Sequence, residues 1–374
     1  MVARIFQGAG GAMMVPVGRL VLLRTVPKAQ LVDAMAWVTA PALIGPVLGP
    51  PVGGVIVTYA SWPWIFFINV PIGILGFALS TKYFENVHGK ADEPLDIRGF
   101  FMGALALSGL VFGAETAGRH LVPTSAVIAF FAFGIICALL YMRHARNIKH
   151  PIIDLSLFRY PTYRASLTGG SIFRMGIGAL PFLLPLLMQY GFGLTPAMSG
   201  FITFGSAAGA LLMKICAKPV IRAMGFRPIL IINTLLNSIF LAGCAAFTPH
   251  SSLGVMFAFL LVGGFFRSLQ FTALNTVAFA EIPENLLSRA NTLYNMMQQL
   301  TLSLGVAVGA MILNLTQRWQ AGPTLQAQDF WPAFLFIGGV SLLSALAFVP
   351  LPFDAGAELS GHKAVEEAAH KDPV

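Results

Sequence analysis

Stretches of roughly twenty apolar residues follow one another along the chain, and short polar connections divide them. A stretch of that length is long enough for a helix to cross the hydrocarbon core of a bilayer. The pattern predicts an all-α integral membrane bundle with about eleven membrane-spanning helices. The predicted spans are residues 1–23, 34–58, 63–83, 99–116, 124–142, 165–188, 197–217, 228–247, 253–280, 290–314 and 330–352.

The amino-acid composition agrees with this interpretation. Hydrophobic residues make up 56% of the 374 residues and charged residues only 10%, which excludes a water-soluble globular protein. The net charge of +8 would suggest nucleic acid as a partner of a soluble protein. Here the basic residues lie in short loops between apolar stretches, so they orient the chain in a lipid bilayer, and we expect no nucleic-acid partner.

The distribution of Lys and Arg predicts how the chain is oriented. If the connection after the first span is cytoplasmic, seventeen basic residues fall in cytoplasmic segments and only Arg119 and Arg318 fall on the opposite side. Cytoplasmic loops of membrane proteins carry such an excess of positive charge. We therefore expect a multi-pass protein of the cell membrane, with a bacterial inner membrane as its location and a cytoplasmic C-terminal tail at residues 354–374.

Sequence motifs of enzymes are missing from the chain. It has no P-loop, no His-Glu-x-x-His and no nucleophile elbow, and no rings of charge of the kind that line channels. The three cysteines all lie in apolar stretches and offer neither a disulfide framework nor the spacing of metal ligands. We expect no enzymatic activity, no ATP-driven transport, no metal and no cofactor.

Four arginines lie within the predicted spans: Arg4, Arg19, Arg174 and Arg267. A charge near the middle of a span costs about 2.5–3.5 kcal/mol on insertion scales. Arg19 is near the predicted cytoplasmic end, so we expect its side chain to reach that surface. Arg174 and Arg267 lie near mid-span and are predicted to face a cavity or a partner. Gln270, Asn295 and Gln298 are further cavity candidates, although such amides can equally bridge two helices.

Two parts of the chain resemble each other at a constant offset of 256 residues, which indicates a duplicated bundle of the kind found in many secondary transporters. The matched pairs are Pro27 and Pro283, Leu31 and Leu287, Ala34 and Ala290, Gly49 and Gly305, Gly53 and Gly309, and Ile56 and Ile312.

Glycines and prolines alternate in the segment 40–54. Glycines at every fourth position share one helix face and allow a neighbouring backbone to approach, while prolines bend the helix. The segment is either a tight helix contact or a bent gate. The gate residues would be Gly45, Pro46, Gly49, Pro50, Gly53 and Gly54.

Three consecutive motifs resemble the drug:proton antiporters of the major facilitator superfamily, in particular their fourteen-helix branch. They are R-I-F-Q-G-A-G-G-A-M-M-V-P from Arg4, G-P-V-L-G-P-P-V-G-G from Gly45, and W-P-W-I-F-F-I-N-V-P-I-G from Trp62. The resemblance implies that Arg4, Gln7 and Gly8 take part in proton coupling and that the second motif is the antiporter gate. It also implies proton-coupled efflux of small lipophilic compounds by alternating access.

The resemblance further implies an order of domains. Residues 1–83 would be the remainder of an N-terminal half-bundle, 84–164 two extra central helices with their loops, 165–353 a six-helix second half, and 354–374 the tail. On this alignment the first three helices of the family are missing, and no acidic residue lies deep in a predicted span. Two alternatives therefore remain: a membrane remnant that does not transport, and an uptake transporter of the same superfamily.

Overall fold

The computed structural model describes residues 2–27, 30–31, 33–35, 37–38, 56, 61, 63–83, 96–116, 122–148, 151–320 and 325–360. Within these residues the fold is all-helical, as predicted. The helices are α1 (Val2–Thr25), α2 (Trp64–Tyr83), α3 (Ile97–Thr116), α4 (Thr124–Ala145), α5 (Pro161–Gly191), α6 (Pro196–Met224), α7 (Phe226–Ala246), α8 (Leu253–Val277), α9 (Leu287–Gln320) and α10 (Ala327–Phe348).

Nine of the described helices are long and apolar enough to cross a membrane, and they occupy the last nine predicted spans. Helix α1 occupies the first span. The second span, residues 34–58, lies almost entirely outside the described residues. Several helices extend beyond their apolar stretch: α6 continues to Met224 and α9 to Gln320. Lys, Arg and Gln are good helix formers whose polar ends reach the interface, so a helix need not end where hydrophobicity ends.

Six helices, α5 to α10, form one packed bundle. Helices α6 and α8 pack along each other, as do α5 and α9, and α7 and α10. Helix α5 is the most enclosed, with 67% of its apolar window buried, whereas α2 has 0% buried. Helices α3 and α4 pack against each other as a hairpin, and α3 also packs against α9. The core of the described chain is therefore the bundle of α5 to α10, with α5 at its centre.

Close backbone approach explains the tightest helix pair. A Cβ atom added to Gly209 of α6 would lie 1.8 Å from the carbonyl oxygen of Leu261, and one added to Gly264 of α8 would lie 1.9 Å from that of Ser206. Each helix thus presses its glycine against the backbone of the other. Membrane helices gain packing in this way because lipid provides no hydrophobic force between them.

Proline and a π-helical turn interrupt the central helix. Helix α5 is regular from Pro161 to Gly178, continues from Leu180 to Leu186 with Pro185 inside it, and ends in a π turn at Leu187–Gly191. A proline removes an amide donor and bends a helix, and π turns break the regular hydrogen-bond ladder. The regular hydrogen-bond ladder of α5 is therefore interrupted in its last part.

The two parts of the chain touch near one end of the bundle. Helix α1 packs against α9. Leu22, Leu31 and Met35, which belong to the first part, lie in the same hydrophobic cluster as residues of α5 to α8. Asp33 also forms an ion pair with Lys218 of α6. These contacts join the first half to the second at the end where α1 finishes and α9 begins.

Candidate functional site

Arg174 is completely buried in the bundle of α5 to α10. Its Nη2 donates a hydrogen bond to the hydroxyl of Tyr294 on α9. The guanidinium carbon lies 4.7 Å from the centre of the Tyr294 ring and 5.9 Å from that of Phe271 on α8. The side chain lies back over the preceding turn, where Gly170 leaves room for it. Helices α5, α8 and α9 therefore enclose one cation between two aromatic rings.

Two of the donor nitrogens of Arg174 are unused. Among the described residues, neither Nε nor Nη1 has a hydrogen-bond partner, although both atoms are buried. No described Asp or Glu lies within ion-pair distance of this guanidinium. Buried N–H groups almost always have a hydrogen-bond partner, so two buried donor nitrogens of one charged group without a partner are unusual.

Arg19 contacts the same ring from the first half of the chain. Its Nη1 donates to Oδ1 of Asn295 at 3.0 Å, and its guanidinium carbon lies 5.6 Å from the centre of the Tyr294 ring. The residue is only 6% exposed. The prediction that Arg19 reaches the cytoplasmic surface is therefore wrong. Packing of α1 against α9 encloses the side chain before it can reach water.

Asn295 and Gln298 lie beside this cluster. The Asn295 amide nitrogen donates to the carbonyl and side-chain oxygens of Asn291 at 2.7 and 2.8 Å, while its oxygen accepts from Arg19. Asn295 therefore ties α9 to α1 in this structure. Gln298 is partly buried, and its Oε1 has no hydrogen-bond partner in the described part of the chain.

Arg267 lies at a second place in the half-bundle, beside a small internal cavity. Its Nη2 donates to the hydroxyl of Ser206 on α6. The cavity lies among α5, α6, α7 and α8, and Asn237, Cys244 and Phe259 are among the residues that line it. The cavity has a volume of about 20 Å³, which is room for about one water molecule. In this conformation it is too small to hold a drug-sized molecule.

Gln270 connects two helices. Its Nε2 donates to the carbonyl oxygen of Leu230 at 3.2 Å and to the hydroxyl of Thr234 at 3.0 Å, both on α7. The side chain is fully buried, and its Oε1 has no hydrogen-bond partner among the described residues. In this conformation the amide therefore bridges α8 and α7, one of the two roles expected for such residues.

The predicted coupling motif lies on α1. Gln7 and Gly8 are exposed, and a Cβ at Gly8 would meet no atom within 4 Å. The side chain of Arg4 lies outside the part of the chain that the structure describes. The predicted gate residues Gly45, Pro46, Gly49, Pro50, Gly53 and Gly54 also lie outside the described residues.

The structure does describe the second-half counterparts of two gate glycines. Gly305 and Gly309 lie on α9 at the offset of 256 residues from Gly49 and Gly53. A Cβ at Gly305 would lie 2.2 Å from the carbonyl oxygen of Met175, and one at Gly309 would lie 2.9 Å from Cβ of Ala179. Both glycines therefore allow close contact between α9 and α5.

Sequence reasoning missed Tyr294, which connects the two arginines. A single tyrosine in an apolar stretch gives no reason to select it from the sequence. The residue that follows it, Asn295, is one of the amides singled out in the same span. A search for aromatic residues beside in-span amides could have found Tyr294.

Comparison with known proteins agrees with the helical architecture. Residues 1–152 and 166–372 match the Major Facilitator Superfamily. The chain is 35% identical over 354 residues to the "Putative multidrug resistance protein MdtD" of Pectobacterium carotovorum subsp. carotovorum (strain PC1), covering 94% of this chain and 76% of that protein. It is 34% identical over 360 residues to the protein of the same name from Escherichia coli O157:H7 (strain EC4115 / EHEC), covering 95% and 75%.

The family match covers almost the whole chain, and the relatives exceed 30% identity over most of their length. The predictions of a multi-pass membrane protein and of a non-enzyme are thereby confirmed. The all-helical arrangement of the described residues is that of the same family. The chain belongs to the major facilitator superfamily of membrane transporters.

Proposed function

We propose that the chain is a secondary exporter that moves small lipophilic compounds out of the cell, driven by a proton gradient. The observation that carries this proposal is the family match across residues 1–152 and 166–372, together with relatives named as multidrug resistance proteins. The proposed location is a bacterial inner membrane with the C-terminal tail in the cytoplasm, because the basic residues concentrate in the connections assigned to that side.

Alternating access needs two bodies that can rock against each other. We propose the domain division 1–83, 84–164, 165–353 and 354–374, in which the first and third parts are these bodies. Two similar turns support a repeat: Gln30 N donates to the carbonyl of Pro27, and Leu286 N donates to that of Pro283, the residue 256 positions later. The contacts of α1 with α9 and of Asp33 with Lys218 lie at the end proposed to be cytoplasmic, so we interpret this conformation as closed to the cytoplasm.

The proposed roles of individual residues follow the motifs. Arg4, Gln7 and Gly8 would couple transport to the proton, and Gly45, Pro46, Gly49, Pro50, Gly53 and Gly54 would form the gate. Arg174, Arg267, Gln270, Asn295 and Gln298 would face the transport path in at least one conformation. Arginine does not release its proton in proteins, so Arg4 would tune a proton-carrying group and would not itself carry the proton.

The function is tested by measuring accumulation of three fluorescent compounds in bacteria that lack their own major exporters. Ethidium supplies a cation, N-phenyl-1-naphthylamine a neutral compound and 2-naphthoate an anion. We expect cells that express the chain to accumulate less of at least one compound than cells with an empty vector. A protonophore should remove the difference, because export depends on the proton gradient. Arg4→Ala should reduce export, whereas Gly339→Ala, at an exposed position with open space around it, should not.

The outcomes separate the alternatives. Accumulation above that of the empty vector would indicate uptake. Accumulation equal to that of the empty vector for all three compounds, with the protein present in the membrane, would contradict the exporter and support a non-transporting remnant. Export that persists with the protonophore would contradict proton coupling.

A further inference from the structure

We propose that Arg174, Tyr294 and Arg19 form a binding site for a carboxylate group of the transported compound, and that Tyr294 covers this site in the present conformation. The inference rests on the proposed export function and adds a substrate class to it: lipophilic acids, in particular aromatic ones. It is argued from the unused donors of Arg174, from the position of Tyr294, and from the charge that Arg19 brings to the same ring.

Arg174 has hydrogen-bond donors that a ligand could use. A guanidinium presents five N–H donors, and a buried donor without a partner is costly. In this structure Nε and Nη1 of Arg174 are buried and have no partner among the described residues. A carboxylate is the group that satisfies either of these donors best, because it can accept two parallel hydrogen bonds, one from Nε or Nη1 and one from Nη2. The cluster therefore lacks the partner that its chemistry favours.

Tyr294 uses a donor of Arg174 that a carboxylate would need. Both edges of a guanidinium that can hold a carboxylate include Nη2, and Nη2 of Arg174 donates to the Tyr294 hydroxyl. Nη2 carries one N–H on each edge, so the Tyr294 hydroxyl occupies one edge and competes with a carboxylate there. Arg174 is also fully buried, so a ligand can reach it only when a neighbour moves. Tyr294 is the neighbour that holds both the hydrogen bond and the nearer ring contact.

Arg19 brings a second positive charge to the ring of Tyr294. Arg19 belongs to the first half of the chain, and it lies over the ring of Tyr294 while it donates to Asn295. Two positive charges thus lie around one ring, and no described Asp or Glu lies within ion-pair distance of either. An anion would offset this local excess of positive charge. Separation of α1 from α9 would release Tyr294 and open the site, which links binding to the movement of the two halves.

The walls of the site fit an aromatic acid. Phe271 lies on one side of Arg174, and Leu274 lies near Gly170. A Cβ at Gly170 would lie 2.9 Å from Nη1, so the absence of a side chain there keeps room around the charged group. Apolar walls around a few charged or polar groups are typical of pockets that bind an amphipathic ligand in one orientation.

The test measures binding of 2-naphthoate and of its uncharged analogue 2-naphthamide to the full chain in detergent, by equilibrium dialysis. We expect saturable binding of 2-naphthoate and weaker binding of the amide. Arg174→Gln should raise the Kd for 2-naphthoate about tenfold or more, because it removes a charge-assisted hydrogen bond. Tyr294→Phe should lower that Kd, because it removes the competing hydroxyl and keeps the ring. Arg143→Gln, an exposed position on α4, should leave the Kd unchanged.

These opposite changes distinguish a binding site from a structural cluster, since a structural role would make both variants weaker binders. Equal binding of acid and amide would overturn the proposal, as would an unchanged Kd in correctly folded Arg174→Gln. If Arg174→Gln does not fold, Arg174→Lys and Tyr294→Phe test the site instead. A higher Kd for 2-naphthoate in Arg174→Lys together with a lower Kd in Tyr294→Phe would support the site. Any other pair of results would overturn it. Export of ethidium without any binding of 2-naphthoate would overturn only this inference, whereas binding of 2-naphthoate without any export would overturn only the proposed function.

Discussion

The buried arginines show how much the position of a charge within a predicted span says about its surroundings. Arg174 and Arg267 were selected because their positions leave them far from water, and the structure gives each a hydrogen-bond partner inside the second half-bundle. Arg19 was assigned to the surface because it lies near a helix end, yet α9 covers it. Distance from the helix end follows from the sequence. Whether another helix covers that end depends on tertiary packing, which the sequence of α1 alone does not contain.

Asp96 provides a prediction about pH at the start of α3. Its Oδ1 accepts hydrogen bonds from the Gly99 amide and from His144, each at 2.8 Å. Burial by itself would raise the pKa of Asp96, but the hydrogen bonds from His144 and Gly99 outweigh burial and hold the pKa below its ordinary value. A carboxyl group with a lowered pKa stabilises the fold above its unfolded pKa of about 3.9, and this contribution is lost as the pH falls through the folded pKa.

We therefore expect Asp96→Asn to lower the free energy of unfolding by about 1 kcal/mol at pH 7, because the variant keeps a capping oxygen but loses the charge. Thermal unfolding in detergent micelles from pH 7 to about pH 3 measures this, since the change occurs below the ordinary aspartate pKa. The difference between variant and wild type should become smaller towards the acidic end of the range, because the contribution is lost as the pH falls through the lowered pKa of Asp96. A difference that stays constant with pH would show that the charge of Asp96 does not contribute.

At the scale of elements, apolar stretches predicted which helices exist better than where they end. The start of α2 and both ends of α8 lie close to their predictions, whereas α6 and α9 extend well past the apolar stretch. Contacts between helices were harder to predict from the sequence than the helices themselves. The offset of 256 residues singled out Gly305 as one of a pair of matched glycines, but the sequence does not show that its neighbour is the backbone of Met175.

That contact predicts how Gly305→Ala behaves. The added Cβ would lie 2.2 Å from a carbonyl oxygen of α5, and a backbone atom cannot turn away as a side chain can. We expect the substitution to lower stability by about 1–3 kcal/mol, the usual effect of overpacking. The measurement is the unfolding temperature of the purified protein in detergent.

The matched control for Gly305→Ala is Gly339→Ala on α10, where a Cβ would meet nothing within 4 Å. Its unfolding temperature should equal or slightly exceed that of the wild type, because alanine favours helix more than glycine does. Equal stability of the two variants would contradict the close contact between α9 and α5.

At the scale of the whole molecule, the offset of 256 residues predicts a bundle of two related halves. The structure adds where these halves meet. Tyr294 lies between Arg19 of the first half and Arg174 of the second, and Asp33 pairs with Lys218 across the same junction. The contacts that cross from the first part of the chain to the second bring together residues that are 185 and more positions apart. Apolar periodicity carries no information about pairs at this separation, so the junction could not be predicted from it.

The junction leads to a prediction about transport. If the halves must separate at the end proposed to be cytoplasmic, a covalent link between positions 33 and 218 should stop export. Asp33 and Lys218 are 41% and 50% exposed, so cysteines at both positions can react with a short bismaleimide. In a chain without its three native cysteines, we expect the bifunctional reagent to abolish export and a monofunctional maleimide to leave most of it.

A link that does not join the two halves provides the control, because it should not restrict rocking. Asp154 lies in the connection that leads into the second half and Arg289 lies in the second half, and their side chains are 3.7 Å apart. Cysteines at these two positions, treated with the same reagent, should leave export unchanged. Full export by protein linked between positions 33 and 218 would mean that this end stays closed throughout the cycle. The contacts between Arg19, Tyr294 and Asn295 would then be permanent structural contacts, and the route to Arg174 would have to open from the opposite side of the membrane.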